Sequence, residues 1–123
     1  MHKTVLIAED HPDIRFMTKF MVESFGYDVI EARDGSEAFD EARHGHPDLI
    51  LMDVAMPIMN GITSARLIRA TDECANVPIV AVTAYGRDYM DDAGAYGFDE
   101  IVSKPVVIEE MRELCDKYLR PDH

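Results

Sequence analysis

Apolar residues follow two different spacings along this chain, and the two spacings alternate. Five short runs are rich in apolar residues, which is the pattern of β-strands. They cover residues 4–8, 27–32, 49–53, 78–82 and 98–102. Between them apolar residues recur every three or four positions, which predicts amphipathic α-helices. This alternation predicts an α/β domain of the (βα)₅ type, with a parallel sheet and helices on both of its faces.

Local signals mark where several of the predicted helices begin and end. Pro12 suits a first helical turn, and Gly26 predicts the end of the first helix. Asp34 followed by Glu37 has the spacing of an N-cap with a reciprocal glutamate, which would begin the second helix. The remaining predicted helices run over residues 61–70, over residues 85–96 and from Ile108 to Tyr118.

Two further expectations concern the packing and stability of these helices. The methionines Met17, Met21 and Met111 fall at helical spacing, so we expect all three in the core. The helix over residues 85–96 carries glycine and aspartate, which are poor helix formers. We therefore expect that helix to be short or mobile.

Charges inside the strands indicate which strands lie at the edges of the sheet. The second predicted strand contains Asp28 and Glu31, and the fifth contains Asp99 and Glu100, whereas the interiors of the other three are apolar. Charged strands suit sheet edges, so the second and fifth strands are placed outside. The doubly wound order 2-1-3-4-5 fits this placement, and its ligand-binding crevice lies between strands one and three.

Composition excludes several classes of partner. The 123 residues suit one domain over residues 1–123, and 24 acidic against 12 basic residues give a net charge of −12. Nucleic acids and anionic membranes attract basic clusters, so we expect no nucleic acid and no membrane as partner. Cys74 and Cys115 form no disulfide or metal motif. Because no apolar run approaches the ~20 residues of a membrane span and no signal peptide is recognisable, we expect a cytoplasmic protein.

Polar side chains follow four of the five predicted strands, where parallel α/β sheets place their chemistry. These side chains are Glu9, Asp10, Asp53, Thr83 and Lys104. Three carboxylates at one crevice repel each other, which calls for a divalent cation or for sharing of a proton. Hard oxygen ligands with open positions suit Mg²⁺. A metal-bound Asp53 would suit nucleophilic attack on phosphorus. Lys104 and Thr83 would then stabilise the charge on the transferred phosphoryl group.

Each of these residues also has an ordinary structural explanation. Glu9 and Asp10 favour the start of a helix, and Asp53 suits the cap of a turn. A threonine or lysine after a strand is often only a surface or capping residue. Taken singly, these explanations are the better ones, but the occurrence of all five residues at one sheet edge favours a shared site.

Four segments, in this order and spacing, resemble the response-regulator receiver domain of two-component and phosphorelay signalling. They are VLIAED at 5–10, DLILMDVAMPIMNG at 48–61, VAVTA at 80–84 and SKP at 103–105. The resemblance covers essentially the whole chain. It implies a flavodoxin-like receiver fold and signal transduction through a 4-aspartylphosphate. It also implies that the protein is no enzyme beyond its own phosphorylation and dephosphorylation.

The resemblance assigns a phosphoacceptor and a cation site. It implies that Asp53 takes a phosphoryl group from the phosphohistidine of a sensor histidine kinase or a histidine phosphotransfer protein. Asp10, Asp53 and the backbone carbonyl of Ala55 would bind Mg²⁺ or Mn²⁺, and Glu9 would act mostly through water. Phosphorylation would then change how the protein docks to a downstream target. We expect docking through the face of the predicted fourth helix, the fifth strand and the final helix.

The resemblance also implies contacts to the phosphoryl group itself. Thr83 would move toward its oxygens and Lys104 would pair with them, with a cis peptide bond between Lys104 and Pro105. Small Ala84 would leave room for the incoming imidazole. Because Ala55 offers no group to orient water and bulky Tyr85 shields the phosphorus, we expect slow self-dephosphorylation.

One position departs from the family pattern. Receivers commonly place tyrosine or phenylalanine three residues before the site lysine, where the ring changes rotamer as the threonine moves. The residue here is Ile101, which has no ring to move. We expect the predicted helix over residues 85–96 and its preceding loop to carry the conformational change instead.

Two alternative functions use similar residues. A haloacid-dehalogenase-like phosphohydrolase also has an aspartate nucleophile, but there the nucleophile follows the first strand, and this chain has no room for a substrate-selecting cap. A flavodoxin-like cofactor carrier would need a phosphate-binding loop after the first strand, and none is present. Because the chain ends soon after the final helix, we expect no output domain. The sequence leaves open a stand-alone regulator, a relay intermediate or a fragment of a hybrid kinase.

Overall fold

Five parallel strands form the centre of the structure, a computed structural model that describes residues 2–84 and 93–120. The strands are β1 (Thr4–Ala8), β2 (Asp28–Ala32), β3 (Leu49–Asp53), β4 (Ile79–Thr83) and β5 (Glu100–Ser103). Their order in the sheet is β2-β1-β3-β4-β5. The predicted order, with the two charged strands at the edges, is confirmed.

Four α-helices accompany these strands within the described residues. They are α1 (Pro12–Ser24), α2 (Gly35–Gly45), α3 (Gly61–Arg69) and α4 (Ile108–Leu119). As predicted, Asp34 caps α2, because its side chain accepts a hydrogen bond of 2.8 Å from the N–H of Glu37. Glu37 reaches back to the N–H of Arg33, at 3.1 Å, rather than to that of the cap residue. Gly26, with φ of 98°, follows the end of α1.

The sheet separates two apolar cores. Side chains of alternating residues in β1 and β3 point to opposite faces, so that Leu6 and Ile50 join one core whereas Val5 and Leu51 join the other. The first core packs against α2 and α3, and the second packs against α1 and α4. All five residues of β3 are buried. The central strand therefore provides a rigid base for the residue that ends it, Asp53.

The region between β4 and β5 differs from the prediction. Where a helix was predicted over residues 85–96, the described part, Ala93–Tyr96, is a 3₁₀-helix, and residues 85–92 lie outside the described residues. The fifth strand begins at Glu100 rather than at residue 98. Phe98 is buried in the first core, and the carboxylate of Asp99 accepts the N–H of Ile79 at 2.8 Å. Asp99 thus uses its side chain to bind the start of β4.

The predicted burial of three methionines is only partly correct. Met111 is buried, and Met21 packs against the second core. The prediction is wrong for Met17, whose side chain is 57% exposed. Ile14, Phe16 and Phe20 of α1 are exposed as well, so neighbouring elements cover only part of the apolar surface of this helix. Among the described residues, no helix is long and apolar enough to cross a membrane.

Candidate functional site

The carboxyl ends of the strands bring three acidic side chains together. Glu9 and Asp10 follow β1, and Asp53 ends β3, the strand that pairs with β1 in parallel. One carboxylate oxygen from each of these residues lies within 4.8 Å of the others. Glu9 and Asp53 are buried, whereas Asp10 is exposed. The sequence predicted this meeting of Glu9, Asp10 and Asp53, and the structure brings all three together.

A glycine and a close turn hold the backbone around Asp53. The N–H of Gly61 donates to the carbonyl of Val54 at 2.9 Å. A Cβ atom at Gly61 would overlap the carbonyl oxygen of Asp53, so only glycine allows this approach. The N–H of Ala55 donates to Oδ1 of Asp53 at 3.2 Å, which orients the carboxylate.

Lys104 joins the acidic cluster from the end of β5. Its ammonium group lies 2.8 Å from Oε1 of Glu9 and 3.1 Å from Oδ2 of Asp53. Its backbone N–H donates to the carbonyl of Thr83 at 2.9 Å, which ties it to the end of β4. The peptide bond between Lys104 and Pro105 is cis, as expected. The ammonium group of Lys104 therefore forms ion pairs with two of the three carboxylates.

Burial and these contacts raise the pKa of Asp53 and Lys104 and lower the pKa of Glu9. Burial, together with the charge of Glu9, raises the pKa of Asp53 to about 6, against the lowering effect of Lys104. Burial would also raise the pKa of Glu9, but hydrogen bonds from Lys104 and from the N–H of His11 outweigh burial and lower it. Burial would lower the pKa of Lys104, yet its bonds to Glu9 and Asp53 raise it.

The other predicted site residues are placed as follows. Thr83 is buried at the end of β4, and its neighbour Ala84 is exposed at the same sheet edge. Ala55 is exposed two residues beyond Asp53. Ile101 is half-buried against the first core. Tyr85 lies outside the described residues.

Comparison with known proteins assigns the chain to a protein family. The family model described as the response regulator receiver domain matches residues 5–116. The chain belongs to this receiver family. The polar-differentiation response regulator DivK of Brucella ovis is 34% identical over 120 residues, which is 97% of this chain and 98% of that protein.

Two solved receivers share the fold closely. Chemotaxis protein CheY4 of Vibrio cholerae has a TM-score of 0.89 and 28% identity, covering 97% of this chain and 100% of that chain. The receiver domain of sensor histidine kinase PA1611 from Pseudomonas aeruginosa has a TM-score of 0.88 and 28% identity, covering 96% and 98%. That structure holds a magnesium ion coordinated in its active-site cleft.

Membership of the family decides the class of function. The chain is a receiver domain of two-component signalling, a phosphorylation-dependent signalling domain that works with histidine kinases and downstream targets. The phosphohydrolase alternative is not favoured. Receiver domains bind Mg²⁺ at an acidic site, and the oxygen ligands of Glu9, Asp10 and Asp53 are those that this hard cation prefers.

The sequence did not single out Arg15, which contacts the acidic turn directly. Its Nη1 donates to the backbone carbonyl of Glu9 at 2.8 Å, and its Nε donates to Oε1 of Glu31 at 3.2 Å. The signal that could have identified it is the position of an arginine one turn into the helix that follows the acidic pair. That signal is weak, because arginine in the first turns of a helix usually faces solvent.

Proposed function

We propose that Asp53 accepts a phosphoryl group from a phosphohistidine, and that Glu9, Asp10, Thr83 and Lys104 serve this transfer. The observation that carries the proposal is the position of Lys104, whose ammonium contacts both Glu9 and Asp53. Both acids would be repelled by the incoming phosphate if they stood alone. A fixed cationic side chain beside the acceptor carboxylate is what phosphoryl transfer requires.

The residues would share the chemistry as follows. Asp10, Asp53 and the carbonyl of Ala55 would hold Mg²⁺, or Mn²⁺, and Glu9 would contact it through water. The bound cation supplies charge neutralisation at the phosphoryl oxygens. The close approach of three carboxylate oxygens, within 4.8 Å, supports such a ligand set.

The transfer itself is an in-line exchange of one bond for another. A carboxylate oxygen of Asp53 would form a bond to phosphorus while the bond from phosphorus to the donor imidazole nitrogen breaks. The nitrogen keeps the electron pair, and the product is an acyl phosphate. Lys104 would pair with one phosphoryl oxygen and the hydroxyl of Thr83 would donate to another. Small Ala84 would leave space for the imidazole.

The phosphodonor would dock on a groove that opens beside this site. The groove, of about 660 Å³, runs between α1 and α4, and both Asp53 and Lys104 form part of its wall. Its apolar lining includes Met17, Phe20 and Met111. We propose that a protein that carries its phosphohistidine to Asp53 covers this groove, because the groove is continuous with the acceptor site.

Output would pass to a downstream target through the face that contains β5 and α4. The sequence also predicts a helix over residues 85–96 for that face, and residues 85–92 lie outside the described residues. We propose that Tyr85, one of these residues, shields the phosphoryl group. Ile101 has no ring to couple to Thr83, so we propose that residues 84–97 carry the change. Amide exchange with and without a phosphoryl mimic tests this, and equal exchange over 84–97 would contradict it.

The phosphate lifetime belongs to the same proposal. Ala55 has no carboxamide or acid to orient an attacking water, so self-dephosphorylation would be slow. The receiver itself would catalyse both its own phosphorylation and its own dephosphorylation. A phosphohistidine donor on a sensor kinase implies that the protein works in the cytoplasm. A Tyr85→Ala variant that loses its phosphate no faster than the wild type would contradict the shielding by Tyr85.

Labelling by a small phosphodonor tests the proposal. We expect the wild type to take up about one phosphoryl group per chain with Mg²⁺ and none with a chelator present. Asp53→Asn should abolish uptake, whereas the matched variant Asp40→Asn, on the exposed surface of α2, should retain it. Labelling of Asp53→Asn, or rapid multiple turnover on small phosphate esters, would overturn the proposal.

A further inference from the structure

Arg15 is the least exposed of the arginines and lysines that form an ion pair in the described part of the chain. Its side chain is only 15% exposed, whereas the paired arginines Arg33 and Arg120 are more than half exposed. Its Nη1 donates to the carbonyl oxygen of Glu9 at 2.8 Å and its Nε to the carboxylate of Glu31 at 3.2 Å. One guanidinium thus joins the turn after β1 to the edge strand β2.

The turn that Arg15 contacts carries two of the three acidic side chains. The carbonyl of Glu9 belongs to the peptide that joins Glu9 to Asp10, so a contact to it restrains the backbone from which both carboxylates extend. The N–H of Glu9 is already fixed, because it donates to the carbonyl of Ala32 at 3.0 Å. Both the Ala32 carbonyl and the Glu31 carboxylate come from the end of β2. Arg15 therefore completes the attachment of this turn to the edge strand.

We propose that Arg15 is a positioning residue for the cation site, acting through the backbone of Glu9 and held in place by Glu31. The inference rests on the proposed function, because it concerns the Mg²⁺ that phosphoryl transfer uses. A charged donor on a carbonyl forms a hydrogen bond roughly twice as strong as a neutral one. Without it the carbonyl loses its side-chain partner, and the turn that carries Glu9 and Asp10 gains freedom to move relative to Asp53. The three carboxylate oxygens are then less often within the 4.8 Å that one cation can bridge.

The guanidinium needs its partner on β2 for this role. Glu31 accepts from Arg15 through Oε1 and from Lys19 through Oε2, the latter at 3.3 Å. Its carboxylate thus stands between two cations, and it orients the planar guanidinium toward the turn. The charge of Glu31 therefore does more than indicate an edge strand. It fixes the orientation in which the Arg15 guanidinium contacts the carbonyl oxygen of Glu9.

Titration with Mg²⁺ tests the proposal against a matched change of charge. Arg15→Gln and Arg33→Gln each remove one positive charge, but the guanidinium of Arg33 pairs with Glu37 on α2, whereas that of Arg15 binds the turn. We expect Arg15→Gln to raise the Mg²⁺ dissociation constant, measured by calorimetry, about tenfold. Arg33→Gln should stay within about twofold of the wild type, which excludes a general effect of net charge.

A kinetic measurement separates positioning from a loss of structure. With a small phosphodonor, Arg15→Gln should need more Mg²⁺ for half-maximal labelling, while the maximal rate at saturating Mg²⁺ stays close to that of the wild type. Equal Mg²⁺ affinities for Arg15→Gln and Arg33→Gln would overturn the inference. A lower maximal rate with an unchanged Mg²⁺ requirement would overturn it as well.

A second variant covers the case in which Arg15→Gln does not fold. Glu31→Gln keeps the guanidinium but weakens its hold, so it should raise the Mg²⁺ dissociation constant in the same direction by a smaller factor. Wild-type affinity in Glu31→Gln would then overturn the inference. The failures remain distinguishable: a wild type that does not bind Mg²⁺ overturns the proposed function, and a wild type that binds it while these variants do so equally well overturns only the role of Arg15.

Discussion

The ammonium nitrogen of Lys104 lies 3.1 Å from Oδ2 of Asp53, although 51 positions separate the two residues in the chain. The end of one buried strand thus meets the end of an edge strand before any phosphate is attached. The pair is embedded in a cluster with a net excess of negative charge. Repulsion among these carboxylates lowers the free energy of unfolding of the protein.

Asp53→Asn should stabilise the protein in Mg²⁺-free buffer at pH 7. The pKa of Asp53 is raised from 3.8 to about 6, so between these values the folded protein binds the proton more tightly than the unfolded chain does. The ionised carboxyl therefore lowers the free energy of unfolding as pH rises through this window. We expect a gain of about 1 kcal/mol or more at pH 7, measured by urea unfolding.

The gain should disappear below about pH 4, where both states carry the protonated acid. Asp53 and Glu9 interact, so the difference between variant and wild type reports the loss of the Asp53 charge together with its effect on Glu9. Asp40→Asn, on the exposed surface of α2, serves as the control and should show no such pH-dependent gain. A variant less stable than the wild type at pH 7 would contradict the prediction.

Gly61→Ala should destabilise the fold and disturb the site together. A Cβ atom at this position would overlap the carbonyl oxygen of Asp53, which the buried strand β3 cannot move. We expect a loss of about 1–3 kcal/mol in the free energy of unfolding, with slower labelling by a small phosphodonor. Gly45→Ala is the control, because the atom nearest to its Cβ would be Cδ1 of Ile30, at 2.5 Å, which is the end of a side chain rather than backbone. Equal stabilities of the two variants would refute this account.

Ile58→Asn should stabilise the loop between β3 and α3. Ile58 has φ of 68°, a left-handed conformation that β-branched residues rarely adopt, and its side chain is 86% exposed. Asparagine tolerates this conformation, and no buried area is lost, so we expect a gain of about 1 kcal/mol. Ile58→Val keeps the branched Cβ and should show no gain. Thermal unfolding of the two variants decides the matter.

Phe20→Ser should slow phosphotransfer from a protein donor but not from a small one. Phe20 lines the groove beside Asp53 and is 63% exposed, so the substitution should leave the fold intact. If a phosphohistidine protein covers this groove, we expect transfer to slow about tenfold. Phe16→Ser is a matched control, because Phe16 lies on the same helix, is 64% exposed and is outside the groove. Equal slowing in both variants would argue against docking in the groove.

The sequence was informative where a single physical cause decides the outcome. The charges of Asp28 and Glu31 placed β2 at an edge, because a buried strand tolerates no unpaired charge. The acids after β1 and β3 had to meet, because the carboxyl ends of neighbouring parallel strands lie side by side. The cap at Asp34 was recognisable because its hydrogen bond is local in sequence.

The sequence was less informative where side chains from distant segments compete. Met17 has the spacing of a core residue, but spacing does not say how wide a stripe the neighbouring elements cover. Asp99 was assigned to a strand, whereas its carboxylate binds both the N–H of Ile79 and the guanidinium of Arg69. The contact of Arg15 with the Glu9 carbonyl likewise depends on a rotamer and on a partner from another strand, Glu31.

The reactivity of the two cysteines can report local opening of the two cores. Cys74 is buried in the core on one face of the sheet, and Cys115 is buried in the core on the other. Burial raises the pKa of both thiols, that of Cys115 to about 12, so neither is a thiolate in the closed protein at pH 7. Reaction with a thiol reagent must therefore wait for local opening. In a variant that retains only one cysteine, the rate of thiol reaction would measure local opening of the core on one face of the sheet. The two variants would give these rates separately, with and without phosphate on Asp53.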